Sequence, residues 1–134
     1  MKLKNLRKNK KGFTLVEIIV VLVILAILAA AAIPTMLGFV DDAKKKTEIA
    51  NARAAYVAAQ TIATETYATS TATSATDKDA ACVTAITKAK VESLASLTCT
   101  SVTATVSGGK VTSLVFVNNG KTVTITPGGD ASVS

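Results

Sequence analysis

Histidine and tryptophan are absent from this chain, and its aromatic residues amount to two tyrosines and three phenylalanines. Without histidine there is no imidazole acid–base chemistry, no Ser-His or Cys-His nucleophile and no His-rich metal site. So few rings leave no base-stacking surface for nucleic acid. Two lone cysteines without histidine make a poor metal site, so neither a metal nor a cofactor is expected. The glycine pairs Gly108-Gly109 and Gly128-Gly129 lack the Lys-Ser/Thr context of a phosphate loop, and no Asn-x-Ser/Thr sequon occurs. No catalytic constellation survives, and the chain is not expected to be an enzyme. The last absence is local: the first twelve residues contain no acid.

Those twelve residues hold Lys2, Lys4, Arg7, Lys8, Lys10 and Lys11. The formal net charge of +6 and the pI near 9.5 invite an acidic partner until this placement is noticed. Fifteen Lys/Arg minus these six leaves nine, which the nine Asp/Glu balance, so the chain from Phe13 onward is neutral. Lys110 and Lys121 beside two glycine-rich turns are thin support for phosphate contacts, and nucleic acid is not expected as a main partner. At 134 residues the chain has room for one small domain.

What is abundant is apolar. From Ile18 to Ile33 sixteen apolar residues follow without interruption, and a helix over Phe13–Ile33 would be ~31 Å long, the thickness of a hydrocarbon core. The basic start keeps the N-terminus in the cytoplasm and sends the rest outward. A secretory signal cut near Ala29–Ala32 or an uncleaved anchor has the same hydropathy. Neither explains Glu17, a carboxylate that costs roughly 2.5–3.5 kcal/mol inside a bilayer.

The stretch Lys11-Gly12-Phe13-Thr14-Leu15-Val16-Glu17, with the basic leader before it and the apolar run to Pro34 after it, resembles the class III signal of type IV pilins and pseudopilins. The resemblance implies cleavage after Gly12 by a membrane prepilin peptidase and N-methylation of the new N-terminus, Phe13. It also implies that Glu17 pairs with the Phe13 ammonium of a neighbouring subunit in a fibre. Physically, the cut creates a cation beside hydrocarbon and Glu17 offers the opposite charge one helical turn away. Stranding one member of a buried pair costs ~3–5 kcal/mol.

Pro34, four residues after Ala30, and then Gly38 are the expected kink positions in the helix; the alternative is a helix that ends at Ile33. Beyond Asp41-Asp42, residues Ile49, Ala52, Tyr56, Ala59, Ala63 and Tyr67 recur at spacings of three and four, predicting an Ala-rich inner stripe. Lys45, Glu48, Arg53, Gln60 and Glu65 are expected off it. Asp41, Asp42, Lys44, Lys45 and Lys46 read as a solvated collar. The Thr/Ser-rich stretch Thr61–Asp79 reads as a loop or frayed helix end, with O-glycosylation as one use of its hydroxyls.

Asp79 is then expected to cap a helix over Ala80–Leu97, with Val83, Ile86, Val91, Leu94 and Leu97 facing a core. Strands over Ser101–Val106, Val111–Val117 and Thr122–Thr126, joined by Gly-Gly and Asn-Gly turns, predict a three-stranded antiparallel meander. The fold class is therefore α+β, a long helix laid on a small antiparallel sheet, as in the pilin-like ladle that the resemblance implies. The expected organisation is a cleaved leader 1–12, a transmembrane and polymerisation helix 13–34, its amphipathic continuation 35–69 and a head 70–134. Cys82 and Cys99, both in the part expected outside the cytoplasm, are expected to form a disulfide worth roughly 3 kcal/mol, two free buried thiols being the alternative.

The leading functional expectation is a structural subunit, major or minor, of a type IV pilus serving adhesion, motility or DNA uptake. Its expected partners are other copies of itself, other pilins, the prepilin peptidase/methyltransferase, a membrane assembly platform and, before assembly, the lipid bilayer of the cytoplasmic membrane. A pseudopilin of a type II secretion or competence machine is one rival. A monomeric membrane-anchored adhesion or binding domain is the other.

Overall fold

The structure is a computed structural model that describes residues 12–134; the basic residues Lys2 to Lys11 of the expected leader lie outside the described residues. Helix α1 runs from Leu15 to Thr69, followed by α2 (Ala75–Ala85), α3 (Lys88–Ala95) and strands β1 (Ser101–Ser107), β2 (Lys110–Asn118), β3 (Lys121–Ile125) and β4 (Ala131–Val133). The architecture is α+β, a long N-terminal helix packed on an antiparallel sheet. The chain divides into two units, one ending at Val40 and the other comprising Asp41–Ser134. They are called the stem and the head below.

The stem is helix and little else. From Gly12 to Thr47 every described residue is exposed, including the large side chains from Phe13 to Val40. Among the described residues α1 is long and apolar enough to cross a membrane, and none of its apolar window is buried. The apolar surface does not stop at Pro34: Met36, Leu37, Phe39 and Val40 prolong it to the edge of the head.

In the head, α1 supplies Ala52, Ala55, Ala58, Ala59, Ile62 and Ala63 to the core, with Ile49, Tyr56 and Tyr67 partly buried beside them. Small side chains let the backbone of α1 approach the sheet closely, so the bulk comes from Val111, Leu114, Phe116, Val123 and Ile125 of β2 and β3. The stripe read from the sequence is present and broader than expected. The sheet order is β1-β2-β3-β4, all antiparallel. Thr105 pairs with Ser113 and Val106 with Val111, which leaves Thr112 as an extra residue on β2. That bulge shifts the inward face of β2 from odd to even positions, which is how Val111 and Leu114 are buried in the same strand.

Four sequence expectations need correction. The sheet has four strands: Gly128 and Gly129 donate to the Thr126 carbonyl at 2.9 and 3.0 Å, turning the chain so that β4 pairs with β3. Three residues are too short to show a period of two. Thr61–Asp79 is mostly helical, only 70–74 separating α1 from α2; within the helix the hydroxyls of Thr61, Thr64 and Thr69 are satisfied on carbonyls four residues back. The expected single helix Ala80–Leu97 is two helices. Ser74, not Asp79, caps α2 by accepting from the Thr76 amide, and Thr87 caps α3 by accepting from Lys90. The break at Ile86 and Thr87 resets the helical phase, so Val91 is buried while Val83 and Leu94 face outward.

Candidate functional site

Gly12, Phe13 and Thr14 precede the first turn of α1 and belong to no regular element. Phe13 is 80% exposed, so the Gly12–Phe13 peptide bond lies on open, non-helical chain. A Cβ placed on Gly12 would meet nothing within 4 Å, and its backbone is not in the left-handed region. Among the described residues, nothing in the fold requires glycine there.

The start of α1 is fixed by two reciprocal hydrogen bonds. The Glu17 amide donates to Thr14 Oγ1 and the Thr14 amide donates to Glu17 Oε2, both at 3.3 Å. This is a capping box, in which two orphan donors of the first turn are satisfied by the two side chains. The negative charge also sits at the positive end of the helix macrodipole. Sequence reasoning noticed Glu17 as a misplaced charge and missed its local partner, although Thr14-x-x-Glu17 before an apolar run is a readable capping signal.

Pro34 and Gly38 do not interrupt α1, so the reading in which the helix ends at Ile33 fails. Proline deprives the Ala30 carbonyl of its usual donor. One residue on, Thr35 Oγ1 donates to the Ala32 carbonyl at 2.8 Å and keeps a polar side chain satisfied against its own helix.

In the head, two polar side chains expected on the solvent side are structural. Glu48 is buried and accepts from Asn51 Nδ2 at 3.4 Å, Asn118 Nδ2 at 3.1 Å and Asn119 Nδ2 at 2.7 Å. It thereby ties the β2–β3 turn to α1. Gln60 accepts from the Val111 amide at 2.9 Å and donates to the Gly109 carbonyl at 3.1 Å, while the Tyr56 hydroxyl donates to the Val111 carbonyl at 3.0 Å. Asp79 is not a helix cap; its carboxylate accepts from the Gly108 and Gly109 amides, both at 3.0 Å.

The expected Cys82–Cys99 bridge is not formed in the structure: both cysteines are buried free thiols. Cys82 Sγ instead donates to the Ala63 carbonyl at 3.2 Å, which satisfies it against α1. Burial pushes both thiols up from their ordinary range, with the Asp79 carboxylate adding to the effect at Cys82 and a hydrogen bond to Glu92 at Cys99. Glu92 is pulled down, first by the Cys99 amide that donates to it at 2.8 Å and further by the Lys88 ammonium 3.7 Å away. Among the described residues no cluster of three or more Cys, Asp or Glu side chains is arranged to hold a metal.

The chain therefore carries a signal and a packed body. Residues 7–33 match the family model of the prokaryotic N-terminal methylation motif, a match that takes in Arg7 to Lys11 of the basic segment, Gly12-Phe13 and the apolar run to Ile33. It supports a prepilin of the type IV pilin-like class, the kind of structural subunit processed by a prepilin peptidase and assembled with other pilins. Motif and apolar helix together fit membrane anchoring before assembly. No curated protein and no solved structure matches the chain.

Proposed function

We propose that this type IV pilin-like prepilin is cut between Gly12 and Phe13, methylated on the Phe13 amine and polymerised through its stem into an extracellular filament. The observation that carries the reading is the open Gly12–Phe13 bond next to a helix with no buried residue before Glu48. A peptidase needs a peptide free of regular structure and open to solvent, and the exposed, non-helical residues Gly12–Thr14 fit that need directly before α1. Because the fold leaves space for a side chain at Gly12, the glycine answers to the enzyme that grips it.

Hydrolysis leaves the leader with a carboxylate at Gly12 and the body with an ammonium at Phe13. Glu17 engages Thr14 through Oε2 alone; among the described residues Oε1 has no hydrogen-bond partner. A neighbouring subunit's Phe13 ammonium can take Oε1 without breaking the cap. The pairing would fix the axial register of two stems whose remaining surface is apolar and non-directional. The surrounding stems then replace lipid around residues exposed in the single chain, and the head coats the fibre.

Intact-mass measurement of the chain extracted from its own cells tests the processing step. The expected result is a mature N-terminus at Phe13 bearing one extra methyl group. An intact Met1 start, or a cut near Ala32, would overturn it.

A further inference from the structure

We propose that Asn119 is a site of spontaneous deamidation, restrained by Glu48, and that its conversion to an acid releases the β2–β3 turn from α1. All the residues involved belong to the head. Asn119 is the one asparagine in the chain that is followed by glycine. Asn119 and Gly120 are the two residues between β2 and β3, both exposed to water, with φ of +49° and +74°. The Gly120 amide donates to no backbone carbonyl among the described residues, and a Cβ built on Gly120 would meet nothing within 4 Å. The nitrogen after Asn119 is therefore unengaged and uncrowded, as a nucleophile must be.

In the first step the Gly120 nitrogen bonds to Cγ of Asn119 and closes a succinimide ring. The Gly120 amide proton joins the departing Nδ2 group, which leaves as ammonia. Water then opens the ring at one of its two carbonyls. Breaking the bond from nitrogen to Cγ leaves an aspartate. Breaking the bond from nitrogen to the main-chain carbonyl carbon leaves an isoaspartate, whose backbone runs through Cβ and Cγ. In sum, an amide and a water become an acid and an ammonia, with no change of oxidation state.

The fold restrains the first step. Asn119 Nδ2, the group that must leave, donates to Glu48 Oε1 at 2.7 Å, the shortest hydrogen bond on that buried carboxylate. A charge-assisted bond of this kind reinforces the carbon–nitrogen resonance of the carboxamide, so Cγ is a poorer electrophile while the bond lasts. Conversion proceeds in the moments when the turn opens, and it then prevents the bond from forming again. Position 119 afterwards carries an acceptor where it had a donor, facing the Glu48 carboxylate. Lys44 and Lys121 line the same recess, but Lys121 already meets Asp41 at 3.5 Å. Two lysines thus face Glu48 and Asp41 before conversion and a third carboxylate after it, and the surplus charge drives the turn away from Glu48. The site depends neither on processing nor on assembly; in a filament, converted heads would accumulate with the age of the fibre.

The full chain, freshly purified in neutral maltoside micelles, is incubated at mildly alkaline pH, and the tryptic peptide 111–121 is followed by mass spectrometry with enzymatic methylation to detect isoaspartate. The expected result is an acid at position 119, as aspartate and isoaspartate together, with Asn118 and Asn51 intact. Glu48→Ala should raise the rate about tenfold, toward that of the chain unfolded in urea, because one hydrogen bond to a charged group accounts for a factor of that order. Glu48→Gln, which keeps an acceptor oxygen, should give a smaller rise, and unmoved Phe116 and Val123 resonances show that its head stays folded. No acid at 119 while the urea-unfolded chain converts fully overturns the proposal, as does one rate shared by the unaltered chain and both Glu48 variants. Aspartate without isoaspartate would overturn the succinimide route. Side-chain amide resonances of Asn118 that are unchanged in the converted chain would overturn the release of the turn.

Discussion

Up to Val40 every described side chain of this protein is exposed, whereas beyond Asp41 sixteen apolar residues are buried in one core. The stem is by far the more apolar unit, and it buries none of that surface. The head is rich in alanine, threonine and serine, and it buries what little it has. Apolar content therefore does not say where the core of a chain lies; periodicity does. An all-round apolar helix has no face to turn toward its own chain and must find its cover elsewhere, in lipid or in other copies. A narrow stripe of alanines opposite alternating valines builds a core within the chain.

Glu17→Ala probes the difference most sharply. It should leave the head's melting temperature unchanged and insertion intact, while filament yield in sheared-cell fractions falls to nearly nothing, because a stranded partner costs ~3–5 kcal/mol per subunit. Wild-type yield from Glu17→Ala cells would remove the assembly role. Thr14→Ala separates the cap made by that carboxylate from the assembly contact proposed for it. It loses the cap, worth ~1 kcal/mol, yet keeps the charge, so filaments should persist in reduced amount.

Phe116→Ala attacks the head alone. Phe116 is fully buried, and truncation should cost ~3–5 kcal/mol, enough to unfold a small domain at growth temperature. Thermal melts of the purified chain would show it. Ile27→Ala, a comparable truncation in the stem, should leave the same melt unmoved. Two equal shifts would erase the distinction between the units.

Smaller effects come from the polar ties that hold the turns. Glu48→Ala leaves three amides without their acceptor and should cost ~1–3 kcal/mol, more than Glu48→Gln, which keeps an acceptor oxygen. Gly109→Ala should be comparable: its φ is +75° and the new methyl would lie 2.8 Å from Tyr67 Cγ. The atoms met are Cγ and Cβ, at 2.8 and 3.1 Å, the base of the Tyr67 side chain, so a turn of the ring alone does not relieve the contact. Chemical denaturation of each variant measures both.

The smallest effects are in pH. The carboxyl of Glu92 is depressed in the fold, so its contribution is present above the ordinary carboxylate range and lost as pH falls through its folded value. Glu92→Gln should flatten that acid limb. The thiols of Cys82 and Cys99 are raised, so the fold holds protons that the unfolded chain releases, and stability declines as pH climbs past the ordinary thiol range. Unfolding without reductant should release two thiols for alkylation, against slow reaction in the folded head. A fold whose thiols react as fast as those of the unfolded chain would contradict the burial.

The stem was readable because hydropathy and a charge out of place need no tertiary context. Its capping box was equally local, but Thr14 drew no attention beside the more anomalous Glu17. The meander was legible through Gly-Gly and Asn-Gly turns, and β4 was not, since Ala131–Val133 becomes a strand only against β3. The division at Thr87 escaped notice because hydrophobic spacing through 80–97 looks continuous, and a cap residue acts only when the backbone turns there. Glu48, Gln60 and Asp79 escaped for the converse reason. A polar residue on a helix reads as solvated until a strand or turn 29 to 71 positions away presents a hydrogen-bonding partner to it. Long-range satisfaction of polar groups has no one-dimensional signature.

The boundary at Val40 also orders events in time. Synthesis proceeds from the N-terminus, so every residue of the stem has been joined before the first apolar core residue, Ala52, is added to the chain. The stem therefore emerges while the head is still incomplete, as an apolar segment with no partner of its own, and delay is hazardous. The head needs no residue of the stem for its core and can fold last, after the stem has passed to the membrane. Chain direction alone thus separates insertion from folding: the dangerous segment is disposed of before the slower pairing of four strands begins.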